Sequence, residues 1–70
     1  MSKEMERLKS KVEYCKRLIN VLDYLNFISI SNKYDEKLEE CQNELSEVYK
    51  RIQELKEEER NEWANNNILQ

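Results

Sequence analysis

The chain has 70 residues, 39% of them charged, with a net charge of −3 and no Gly, Pro or His. That length is one small domain with little interior, and the missing Gly and Pro argue for long helices over sheets and tight turns. The missing His removes the commonest general base and zinc ligand, and the acidic balance gives no encouragement to nucleic-acid or anionic-membrane binding.

The first seventeen residues are densely charged, unlike a secretory signal with its basic tip and apolar core. The next thirteen, Leu18 to Ile30, read LINVLDYLNFISI and contain nine apolar residues. Asn20, Asp23 and Asn26 interrupt the run, and it is too short to span a bilayer. A soluble, cytoplasmic protein is the expectation. Two cysteines suggest neither a disulfide framework nor a metal set, and no cofactor is implied.

Helix 1 is expected at about 2–28. Met5, Leu8, Val12, Cys15, Ile19 and Leu22, with Asn26 next, follow a 3-4-3-4 spacing, the signature of helices packing along a seam. Continued, that series lands on Ser29, Lys33, Glu36 and Glu40, so one unbroken helix would lose its apolar stripe. A turn at about 29–31 answers this, because Ser29, Ser31 and Asn32 favour caps over helix interiors. Asn32 and Asp35 suggest a cap for helix 2, at about 32–64, with a short tail over 65–70. Helix 2 carries its own series: Tyr34, Leu38, Cys41, Leu45, Val48, Ile52 and Leu55.

A short turn makes the pair an antiparallel hairpin. The two series then meet in layers, from Met5 with Leu55 and Leu8 with Ile52 to Leu22 with Leu38 and Asn26 with Tyr34. A shift of one heptad would keep the pattern with a longer or shorter loop. Glu4 with Arg51 and Lys11 with Glu44 suit the first stagger, the neighbouring one sets Lys11 near Arg51, and the charges do not decide cleanly between them. Residues 1–30 carry +2 and residues 31–70 carry −5, which favours the pairing. Cys15 and Cys41 fall in adjacent layers, about 6 Å apart along the axis. That suits two small buried hydrophobes in a reducing compartment better than a disulfide. Asn26 either sets the register or is merely solvated.

A second stripe, Tyr14, Leu18, Val21, Leu25 and Ile28, lies about 110° around helix 1 from the seam. Helix 2 has no counterpart. A bare two-helix seam is thin for so small a chain, so these five residues are expected to form an oligomer interface, most simply a twofold dimer making a four-helix bundle. Tyr24, Phe27, Ile30 and Trp63 are the candidates for contact with another protein. The acidic run Lys56–Arg60 reads as a solvated helix face. Helix 1 is basic at Lys3, Arg7, Lys9, Lys11, Lys16 and Arg17, but these residues scatter over several faces where a phosphate footprint would use one.

In length and heptads the chain resembles the Rop family of plasmid RNA-binding proteins, helical hairpins that dimerise into four-helix bundles; that resemblance implies an RNA-binding dimer. The stretch Gln42-Asn43-Glu44-Leu45-Ser46 resembles the Ser-Gln-x-Leu-Asp motif of the small sporulation phosphatases of bacilli. Leu45 matches, and Ser46 stands where that family has its Asp. This second resemblance implies a regulator that engages a partner protein without the motif carboxylate. No nucleophile–base pair, phosphate loop or metal-ligand set is present. The residues themselves favour an all-α, coiled-coil-like hairpin with a non-enzymatic role in protein–protein interaction, as a small adaptor or inhibitor.

Overall fold

The computed structural model describes residues 2–29 and 32–68. Two helices, α1 (Lys3–Ser29) and α2 (Asp35–Ile68), pack as an antiparallel hairpin, and no strand occurs among the described residues. Ser2 starts α1: its Oγ accepts the Met5 N–H at 3.1 Å and its carbonyl accepts the Glu6 N–H at 3.2 Å. Glu4 and Glu6 in the first turn complement the positive end of the helix.

The seam is the core. Met5, Leu8, Val12, Val48 and Ile52 form one buried cluster, with Leu45 and Leu55 packed against it half-buried. Cys15, Leu22 and Cys41 continue the buried line toward the turn, and Ile19 and Leu38 are half-buried. Every buried residue lies on one of the two heptad series. Ion pairs of Glu4 with Arg51 and of Lys11 with Glu44 flank this packing. The neighbouring stagger would instead bring Lys11 toward Arg51, and the chain does not adopt it.

Asn26 is a structural residue at the turn. Its Oδ1 accepts the Tyr34 N–H at 3.1 Å, and its Nδ2 donates to the Asp35 carboxylate at 2.9 Å. This link moves the start of α2. The helix begins at Asp35 rather than near 32, because the Tyr34 amide is held by α1 and the Asp35 N–H by the Asn32 carbonyl. At the other end α2 runs to Ile68 rather than stopping near 64, so residues 65–68 of the expected tail are helical. No Gly or Pro interrupts that stretch, and Asn67 Nδ2 donates to the Trp63 carbonyl at 2.7 Å. Most of the expected turn, together with Ile30, Leu69 and Gln70, lies outside the described residues.

The hairpin is a rod measuring 62 × 16 × 13 Å, with a radius of gyration of 17.5 Å. A compact chain of this length has a radius nearer about 11 Å.

Candidate interaction surface

Once α1 and α2 close on each other, α1 keeps a bare apolar face from Tyr14 to Ile28. Tyr14 is 66% exposed, and Val21 and Ile28 are each 52% exposed. Leu18 and Leu25 are half-buried, because they sit on the flank nearest the seam. At 100° per residue Tyr24 lies about 60° from Val21 and Phe27 about 120° from it. Both are exposed, Phe27 at 82%. The solvent side of α1 near the turn is therefore apolar over most of its circumference.

The same flank is polar farther back. Arg51 of α2 donates to Glu4 through Nη2 at 3.2 Å and to Glu54 through Nη1 at 3.1 Å, with Glu58 at 3.9 Å. These bonds, led by the one to Glu4, raise the guanidinium pKa above its already high value. Lys11 Nζ meets Glu44 at 2.8 Å, and that hydrogen bond raises the Lys11 pKa. The charge pairs flank the register that the buried seam sets, and the apolar face begins where they stop.

Of the four residues expected to meet a partner, Trp63 is remote from Tyr24 and Phe27. Tyr24 and Phe27 lie near the turn and Ile30 is outside the described residues. Trp63, 66% exposed, sits at the opposite end of the rod, about 44 Å along α2 from Tyr34. Residues 59–68 of α2 extend past the point where α1 begins. Glu59 and Glu62 border an open depression beside Ser2 and Met5. The length of this overhang was not legible from the heptads, which fade after Leu55.

Little else on the rod concentrates chemistry. The depression lined by Lys50, Gln53, Glu54, Glu57 and Glu58 is open, and its walls are mostly the aliphatic stems of those long side chains. Among the described residues no three Cys, Asp or Glu side chains converge on a point where a metal could sit. No helix among them is long and apolar enough to cross a membrane. Cys15 and Cys41 are free and buried, and burial raises the Cys15 thiol above its ordinary value. The basic side chains of α1 make no single stripe, with Lys11 drawn to Glu44 and Arg7 to Glu4 at 4.0 Å. In Gln42–Ser46, Leu45 packs into the seam and Glu44 is the partner of Lys11. No family model, curated protein or solved structure matches the chain.

Proposed function

We propose that this protein is a non-enzymatic protein–protein interaction module, a small cytoplasmic helical adaptor or inhibitor that docks through the apolar face of α1. One observation carries the reading: Tyr14, Val21, Tyr24, Phe27 and Ile28 stand exposed on one half of one helix, in a chain that otherwise surrounds its seam with charge. Scattered apolar residues on a surface are ordinary, whereas a contiguous patch of this kind marks a contact site. Helices present such faces to other helices as i, i+3, i+4 and i+7 anchors, which is the spacing of Tyr14, Leu18, Val21, Leu25 and Ile28. The two free, buried thiols fit a reducing compartment.

Photo-crosslinking in cells tests this. A photoreactive residue at Val21 is expected to give discrete protein adducts, while the same residue at Lys56, among charges on α2, gives none. Equal labelling at both positions would sink the reading.

A further inference from the structure

The apolar face has a shape that a second copy of the same chain fits, and this inference rests on the interaction reading above. We propose that two hairpins join by their turn ends, α1 against α1 of the second copy and antiparallel. Leu18 of each chain then lies opposite Ile28 of the other, and Val21 opposite Leu25.

Surface area is the first support. A compact monomer of 8.6 kDa exposes about 4,700 Å². This chain exposes 5961 Å². That excess belongs to the rod as a whole, and the apolar face of α1 is where pairing can cover the ~800 Å² that each partner gives to a standard interface without desolvating charge. The occupant is also restricted to α1, because the matching face of α2 carries Glu40, Glu44, Glu47 and Glu54.

Register is the second support, and the hairpin supplies the rule for it. Within the chain, the residues that immediately precede Met5 and Ile52 pair across the seam, as Glu4 with Arg51. The residues that precede Val12 and Leu45 do the same, as Lys11 with Glu44. In the α1–α1 contact the equivalent residues precede Leu18 and Leu25, and they are Arg17 and Tyr24. The proposed register sets Arg17 of one copy beside Tyr24 of the other, a cation over an aromatic ring, twice by symmetry. One heptad away, Arg17 would face Arg17 and Ile28 would lie against Lys11, which is already committed to Glu44. The opposite shift would carry Val21 past the end of α1 at Ser29, so of the three registers only the proposed one pairs Leu18, Val21, Leu25 and Ile28 without like-charge contact.

The twofold axis then passes at the level of Asp23, close to the turn, and the two rods point in opposite directions. They overlap only over their turn ends. From the helical rise the pair is about 90 Å long, against 62 Å for one hairpin or for two lying side by side. Phe27 and Trp63 stay uncovered.

Light scattering on a sizing column with small-angle X-ray scattering tests the proposal. The wild type is expected at twice the chain mass with a maximum dimension near 90 Å. Leu25→Glu should weaken association roughly 100-fold or more by burying a charge in the contact, and Phe27→Glu should not. A short bismaleimide should trap a mixture of R17C and Y24C chains as covalent dimers, at a yield far above wild type, and should not trap R17C chains alone. A single-chain mass at submillimolar concentration would overturn the second copy as occupant. It would leave the Val21 crosslinking result, and with it the interaction reading, to stand or fall separately. Trapping of R17C alone, or a dimer no longer than one hairpin, would overturn the register.

Discussion

Asn26 occupies a seam position in α1, yet its side chain turns to the start of the next helix and holds the Tyr34 amide and the Asp35 carboxylate. Asn26→Ala frees the Tyr34 amide to water, at a cost of about 1 kcal/mol. Native-state hydrogen exchange should show the Tyr34 amide losing protection while amides near Val12 and Val48 keep theirs. Ile52 makes the opposite kind of contribution. At 6% exposure within the apolar cluster, truncation to Ala removes buried methyl groups and leaves a void. A loss of about 2–4 kcal/mol is expected in urea unfolding.

Cys15, only 2% exposed, ties folding to pH. Its thiol pKa is raised by burial above the ordinary 9.0, so the native state holds this proton more tightly than the unfolded chain does. That stability is fully present below pH 9 and is lost as pH rises through the higher native value. Lys11 acts in the same direction from a higher starting point, because its raised pKa protects the charge that Glu44 binds. The melting temperature should therefore fall as pH climbs above about 9, and Cys15→Ala should flatten the first part of that fall.

At the scale of the helices, α1 and the middle of α2 were legible from the 3-4 spacing of apolar residues, while the choice between neighbouring heptad staggers rested on the length of the turn. The helix ends were not. The layers already paired Asn26 with Tyr34, but they did not announce the hydrogen bond from the Tyr34 amide to Asn26 Oδ1 that goes with a start at Asp35. The continuation to Ile68 crosses an Asn-rich run, whose intrinsic preference for helix is weak and whose pattern names no stop. The second stripe was legible as an unpaired face, and a helix 2 expected to about 64 already set Trp63 at the far end from Tyr24 and Phe27; only its continuation to Ile68 was not legible. Because α2 outruns α1, the indole of Trp63 stays in water. Its fluorescence maximum should lie close to that of free indole in the native protein and barely move on unfolding. A shift to the blue in the native state would mean that something covers that end.

At the scale of the whole molecule, the rod separates two chemically different ends: an apolar one at the turn and an acidic one around Glu57, Glu58, Glu59 and Glu62. The separation, most of the 62 Å length, is several times the ~8 Å distance over which physiological salt screens a charge. The acidic end and the apolar end therefore act as insulated terminals. Recharging one, for instance by Glu59→Lys, leaves the field at the other unchanged. Effects of substitutions at the two ends should sum without a cross term, to within about 0.5 kcal/mol, in a double-mutant cycle. A change of charge at one terminal is thus electrostatically silent at the other, across the whole span of α2.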